Sequence, residues 1–311
     1  MHKKILNYLI LIVCCLVLTG NCMGCGHNFE REVSGEKQNG ETFEISRETS
    51  PKSSQEIFHT SNDTYLDVMY VDVGQADCEI IKLPDGKNML IDGGSSGCEK
   101  IIESYLKRMN ISDLDYVVAT HPHEDHIGGM PGIIKTFKTD CIYMPDAVSN
   151  TNVFNSFITT ILEYDIPVIT AKAGTEILST DDIDITVVAP NREQYSNLNN
   201  YSIVIRLRYK NNVFLFMGDA EELSEKEILG DVSADVIKIG HHGSDTSTSF
   251  DFLQRVSPEI AVISVGKNNQ YDFPSETVLN RLKGVRVLRT DTDGSILLRS
   301  DGKKINIYTE R

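Results

Sequence analysis

Residues 119–130 read ATHPHEDHIGGM, which places His121, His123, Asp125 and His126 within six positions of a chain that has 8 histidines in 311 residues. Imidazole nitrogens and carboxylate oxygens together suit zinc or manganese, and ligand bonds of about 2.0–2.2 Å require several donors to converge on one point. A turn achieves that convergence where a regular helix does not. His121 and His123 alternate and can face one ion, while the adjacent Asp125 and His126 point elsewhere and can face a second. Two ions roughly 3.5–4 Å apart therefore fit better than one crowded ion. The alternative, a surface turn rich in histidine by chance, is disfavoured because the pattern recurs downstream in HHGS, residues 241–244.

The segments around the cluster show what must hold it. TYLDVMYVDVG, DCEIIKLPDG and NMLIDGG are short β-rich runs ended by glycines, which predicts consecutive strands. GCEKIIESYLKRM has helical spacing of apolar positions, and LDYVVAT is a buried strand running directly into the histidines. In the second half, strands are expected at DIDITVVAP, YSIVIRLRY, NVFLFMGD, DVIKIG, EIAVISVG and in the last 25 residues. Helices are expected at AEELSEKEIL, SFDFLQRV and SETVLNRL. Strand feeding turn feeding helix is an α/β arrangement, and with no linker inside residues 63–311 that stretch reads as one domain.

Composition bounds the chemistry further. The chain is 40% hydrophobic and 24% charged, with a formal net charge of −15 and no tryptophan. That balance argues against a broad basic surface holding nucleic acid by counterion release, so an anionic substrate must be attracted locally. The first residues, MHKKILNYLILIVCCLVLTGNCMGCG, carry a basic start, an apolar run and small residues near Cys22 and Cys25, the layout of a secretory signal over residues 1–25. The apolar run is shorter than the roughly 20 residues of a membrane span, which makes an uncleaved anchor the lesser reading. The cysteines resemble a bacterial lipoprotein signal cut before Cys25 or Cys22, with simple secretion as the alternative. Residues 26–62 are rich in Glu, Ser, Thr, Lys and Gly without a sustained period, and read as a disordered tether. Of 7 cysteines, Cys78, Cys98 and Cys141 lie in the body of the chain; an odd, scattered set is not a disulfide framework.

In order along the chain, VDVGQADCEIIKLPDGKNMLIDGG, ATHPHEDHIGG, NNYSIVIRL, FLFMGDAEE, ADVIKIGHHGSDTST, AVISVGKNNQYDFP and RTDTDGSILL resemble the metallo-β-lactamase fold, in its ComEC-like branch. The resemblance implies a four-layer αββα sandwich with two metals at one edge. It makes Asp219 in MGDA the carboxylate bridging the metals, and one of His241 and His242 the last ligand, with His242 favoured and the other a hydrogen-bond donor or general acid. Lactamases of this fold place a third histidine on the first metal, but no histidine lies between His126 and His241 here. The matching stretch supplies Asn199, Asn200 and Ser202 instead.

The expected metal ligands are thus His121, His123, Asp125, His126, Asp219 and His242, with catalytic roles at Asp125, Asp219 and His241. Asn200, Ser202, Ser244 and Asn269 are expected on the substrate, and Asn268 and Tyr271 lie in a loop that the family positions near it. Many relatives carry a histidine before the proline of that loop, where this chain has Phe273. Asp77 and Asp92 read either as structural turn residues or as partners behind a ligand histidine. The expected function is an exported, lipid-anchored hydrolase with two divalent ions, zinc or manganese, acting on a phosphodiester of nucleic acid or of the cell envelope. The competing readings are hydrolysis of a lactam, lactone or thioester, and a non-catalytic surface module that binds metal and an anion.

Overall fold

Short β-branched runs broken by glycine build two sheets. The computed structural model describes residues 65–311, so the expected signal, the tether and both candidate lipidation cysteines, Cys22 and Cys25, lie outside the described residues. In chain order come β1 (Leu66–Tyr70), β2 (Glu79–Lys82), β3 (Asn88–Ile91), β4 (Asp113–Leu114), β5 (Tyr116–Val118), β6 (Lys138–Thr139), β7 (Ile142–Met144) and β8 (Val168–Thr170). Then follow β9 (Glu176–Ser179), β10 (Ile183–Ala189), β11 (Val204–Tyr209), β12 (Asn212–Phe216), β13 (Val236–Lys238), β14 (Ile260–Ile263), β15 (Arg286–Arg289), β16 (Ile296–Ser300) and β17 (Ile305–Thr309). The first sheet has the order β17-β16-β1-β2-β3-β5-β7-β8 and the second β15-β14-β13-β12-β11-β10-β9, while β4 and β6 pair in a separate short ribbon.

Each sheet changes character midway. In the first, β1, β2 and β3 pair antiparallel, and β5, β7 and β8 continue parallel from β3. In the second, β10, β11 and β12 are antiparallel and β13, β14 and β15 continue parallel from β12. The facing sides share one core, in which Val68, Tyr70, Met89 and Ile91 meet Ile205, Leu207, Phe214 and Phe216. The rings of Tyr70 and Phe216 stack across it with centroids 6.1 Å apart.

The outer faces are covered by helices. Leu215, Ile237 and Ile263 of the second sheet pack with Phe252 and Val256 of one helix and Val278 and Leu282 near another. In chain order the helices are α1 (Glu99–Arg108), α2 (Glu124–Ile127), α3 (Met130–Thr136), α4 (Asn152–Glu163), α5 (Glu222–Glu227), α6 (Phe250–Val256), α7 (Glu276–Arg281) and α8 (Thr290–Asp293). On the first sheet, Ile80, Leu90 and Val117 are buried, as are Ile102 and Leu106 of α1, Ile133 of α3 and Phe157 of α4. The result is the expected helix–sheet–sheet–helix sandwich. Among the described residues no helix is long and apolar enough to cross a membrane, and Cys78, Cys98 and Cys141 are free thiols.

Helix α4 had no counterpart in the sequence reading. Its residues, NVFNSFITTILE, are rich in β-branched types that favour strands. Thr151 caps it by accepting from the Phe154 amide at 3.2 Å, and Phe154, Phe157, Ile158 and Ile161 line one buried face at helical spacing. Burying those four side chains, at about 1.5–3 kcal/mol each, outweighs the weak local preference.

The parallel strands β3, β5, β12, β13 and β14 deliver Asp92, His121, Asp219, His242 and Ser264 from their carboxyl ends, where open α/β sheets bind ligands. Backbone bonds lock these loops to one another: Gly93 N–H to His126 O at 2.6 Å, Asp77 N–H to Asp125 O at 3.1 Å and His241 N–H to Gly218 O at 3.0 Å. The glycine pair after the histidine cluster has a steric reason. A Cβ on Gly128 would strike the backbone of Ser96 and Glu124, and one on Gly129 the carbonyl of Gly93.

Candidate metal centre

His121 leaves β5 after two residues, His123 precedes α2, and Asp125 and His126 occupy its first turn. His121 Nε2 lies 2.9 Å from His123 Nδ1 and 3.6 Å from Asp219 Oδ2. On the other side of the same carboxylate, Asp219 Oδ1 lies 3.3 Å from His126 Nε2 and 3.8 Å from His242 Nε2. His242 Nε2 is in turn 3.2 Å from Asp125 Oδ2. Two donor groups therefore form, His121–His123–Asp219 and Asp125–His126–Asp219–His242, each with its ligand atoms within 4.8 Å of one another.

The donor chemistry fits a pair of cations. His126 Nε2 and Asp219 Oδ1 are buried and have no hydrogen-bond partner, a costly state that a metal ion would relieve. Four carboxylates, Asp77, Asp92, Asp125 and Asp219, crowd the centre, and only Asp125 is partly open to solvent. Burial disfavours charge on His126, yet Asp219, Asp92 and Asp125 raise its pKa well above the usual imidazole range. His242 is likewise opposed by burial but held up to about 10 by Asp77 and Asp219. Burial and the neighbouring His126 instead push His121 down, and burial does the same to His123. Asp219 stays well below the ordinary carboxylate range, because His126 and His242 outweigh its desolvation.

Asp77 and Asp92 stand behind the histidines. Asp92 Oδ2 accepts from His126 Nδ1 at 2.6 Å and from Thr120 Oγ1 at 2.7 Å, and its Oδ1 accepts the Thr120 amide at 2.8 Å. This fixes the His126 tautomer that turns Nε2 toward Asp219. His242 is oriented the same way, its Nδ1 lying 2.9 Å from Ser264 O and 3.2 Å from Asp77 Oδ1. Although Asp77, Asp92 and His126 also cluster closely, those carboxylates already serve Lys238, Thr120 and the two imidazoles. Asp92→Asn puts an N–H donor or a weaker acceptor against His126 Nδ1, and is expected to weaken binding of one metal equivalent about 10–100-fold. Competition with a chromophoric chelator measures that loss directly.

The sequence reading missed Lys238. It lies buried in β13 and forms an ion pair with Asp77, and its Nζ also reaches Gly218 O at 3.4 Å and Ile239 O at 3.2 Å. Burial opposes its charge, but Asp77 and Glu79 raise its pKa above the usual lysine value. A lysine flanked by the apolar residues Val236, Ile237 and Ile239 was the available signal.

The residues expected on the substrate make defined contacts within the protein. Ser202 Oγ is buried behind the centre, accepting the Asp219 amide at 3.0 Å and lying 3.3 Å from His121 Nδ1. Asn200 is buried, donating to Glu221 Oε2 at 2.8 Å and accepting from the Ser224 amide at 3.3 Å. Ser244 Oγ is occupied by Thr246 at 3.0 Å. Asn269 spends its amide on its own loop, donating to Phe273 O at 2.7 Å and Gly266 O at 3.0 Å. These bonds hold the Asp219 amide, Glu221, Thr246 and the loop from Gly266 to Phe273. In the same stretch as Asn200 and Ser202, Asn199 Nδ2 lies 3.4 Å from His241 Nε2.

His241 and His242 both adopt left-handed backbone, at φ 49° and 53°, a sparsely populated conformation for residues other than glycine. The His242 ring is 3% exposed and belongs to the second donor group, whereas the His241 ring is 23% exposed, outside both groups, with Nε2 3.9 Å from Asp219 Oδ2. His241 Nδ1 is 3.1 Å from Thr246 Oγ1. Gly243 has φ +85°, and a Cβ at that position would strike Pro274.

The superfamily described as Metallo-beta-lactamase matches residues 71–267. ComE operon protein 3 of Bacillus subtilis (strain 168) is 30% identical over 255 residues, covering 75% of this chain and 33% of that protein. Recombination protein 2 of Haemophilus influenzae is 30% identical over 251 residues, covering 78% of this chain and 29% of its own length. The chain thus spans about a third of the length of these relatives. Among solved structures, the metallo-beta-lactamase fold protein YhfI from Bacillus subtilis is 12% identical, with a TM-score of 0.49 over 79% of this chain and 99% of its own. With residues 71–267 matched and with ComE operon protein 3 and Recombination protein 2 as relatives, the chain belongs to the metallo-β-lactamase superfamily, in its ComEC-like branch.

Proposed function

We propose that the protein is an exported, lipid-anchored phosphodiesterase with two divalent metal ions, acting on nucleic acid or on a phosphodiester of the cell envelope. The observation that carries this reading is the shared carboxylate: Asp219 turns Oδ2 toward His121, at 3.6 Å, and Oδ1 toward His126, at 3.3 Å. His121, His123 and Asp219 would hold one ion, and Asp125, His126, His242 and Asp219 the other. When bound, two ions, zinc or manganese, supply Lewis-acid polarisation of a phosphoryl oxygen and activation of water.

The remaining steps belong to the chain. Asp92, Asp77 and Ser264 keep His126 and His242 in the tautomer that presents Nε2, so the donor geometry is set before substrate arrives. We assign His241 the role of hydrogen-bond donor or general acid: as an imidazolium whose Nδ1 donates to Thr246 Oγ1, it would pass its Nε2 proton to a leaving-group oxygen and be left neutral. The relative named for recombination favours nucleic acid over an envelope polymer. Export and a lipid on Cys25 or Cys22 rest on the first 25 residues; mass spectrometry of the mature N-terminus tests them.

Hydrolysis of bis(p-nitrophenyl) phosphate by purified protein, stripped of metal and reloaded with zinc or manganese, tests the activity. Metal-dependent turnover that disappears when His121 and His123 are both replaced by Ala is the expected result. Two ions bound without turnover of any phosphodiester would overturn the assignment.

A further inference from the structure

We propose that Tyr271 and Phe273 form a stacking shelf for a nucleobase beside the metal centre, which assigns single-stranded nucleic acid as the substrate class. The inference rests on the phosphodiesterase reading above and adds a subsite to it.

A row of rings leads outward from the centre. His241 lies 3.9 Å from Asp219 Oδ2. The Phe273 ring meets the His241 ring edge-on, with centroids 5.8 Å apart and planes at 67°. Tyr271 stacks on Phe273 at 5.5 Å and 22°, and Tyr271 is 55% exposed. Tyr65, Tyr164 and Phe250 are also exposed aromatics among the described residues, but Tyr271 is the one that continues this row.

The shelf is fixed before anything binds. Asn269 closes the loop on itself: Nδ2 donates to Gly266 O at 3.0 Å and Phe273 O at 2.7 Å, while Oδ1 accepts the Tyr271 amide at 3.1 Å and the Phe273 amide at 3.0 Å. Asn268 and Asp272 hold left-handed backbone at φ 55° and 56°, and the Gly266 amide donates to Gln75 Oε1 at 3.0 Å, tying the loop to the start of the first sheet. A preordered aromatic pair loses little freedom on binding.

The chemistry of the occupant follows from shape and charge. Tyr271, backed by the ring it stacks on and more than half exposed, offers one flat aromatic surface that suits a planar base, where recognition of a quaternary ammonium uses rings enclosing it from several sides. In a chain of net charge −15, affinity for a polyanion must come from the metal centre and from contacts that do not depend on charge. Base stacking on an aromatic side chain is such a contact, and it is sequence-tolerant because every base has a π-face.

Fluorescence anisotropy with metal-loaded protein tests the shelf, comparing an oligothymidylate with an abasic oligomer of equal length and charge at one salt concentration. Wild type is expected to bind the base-bearing oligomer about 5- to 150-fold more tightly, the range of one stacked base. Tyr271→Ala should erase that preference and Tyr271→Phe should keep it, with melting temperature and metal content reporting that each variant is folded. Equal binding of both oligomers by wild type, or a preference that survives Tyr271→Ala, overturns the proposal. Tighter binding of phosphocholine than of thymidylate, lost in Tyr271→Ala, also overturns it and gives the shelf to a cation. The readout is independent of turnover. Metal-dependent phosphodiester hydrolysis without a base preference sinks the shelf alone, and a base preference without hydrolysis sinks only the phosphodiesterase reading.

Discussion

Asp219→Ala is expected to remove both metal ions and to lower kcat/KM toward a phosphodiester by on the order of 10³-fold or more, the scale of losing a preorganised electrostatic element. The side chain is common to both donor groups, and its backbone amide is held by Ser202 Oγ at 3.0 Å, so the carboxylate is rigidly presented. Among the described residues no other carboxylate joins the His121–His123 group, which leaves it with two imidazoles once Asp219 is gone. Elemental analysis after dialysis, together with turnover of bis(p-nitrophenyl) phosphate, measures both effects. A variant that keeps two ions would show that Asp219 does not bridge.

Lys238→Ala is expected to destabilise the protein by about 3–5 kcal/mol, because it strands the Asp77 carboxylate in the interior without its cation. For a domain of this size that is a fall in melting temperature of roughly 6–20 °C. The loss propagates to the centre, since Asp77 lies 3.2 Å from His242 Nδ1, and metal affinity should fall with stability. The double variant Lys238→Met with Asp77→Asn removes both charges, and should recover most of the stability while still offering His242 an acceptor. Melting curves for the single and double variants decide the point; equal losses in both would mean that the charge pair is not the cause.

The reach of the sequence differed from residue to residue. The cluster His121–His126 was legible because chemistry so concentrated has few structural uses, and most strands were legible because glycines end them. Helix α4 was not, since its β-branched residues are helical only through the face they bury against the sandwich. Asp77 and Asp92 were ambiguous because an acid at a turn reads equally as a cap or as a partner of histidine; their distances to His242 and His126 are tertiary facts. Asn200, Ser202, Ser244 and Asn269 are expected on the substrate from their neighbourhood, whereas the protein partners of their polar atoms are not legible there, whether remote in sequence, as with Ser202 and the Asp219 amide, or within one loop, as with Asn269 and Phe273 O. Lys238 was visible only as an anomaly in an apolar strand.

The most direct test of a shared-carboxylate centre that cleaves phosphodiesters is to titrate metal-stripped protein with manganese or zinc while following bound metal and bis(p-nitrophenyl) phosphate turnover in the same sample. Two equivalents per chain, with full turnover reached only as the second binds, is the predicted result. Saturation at one equivalent, or full turnover by the stripped protein, would contradict it.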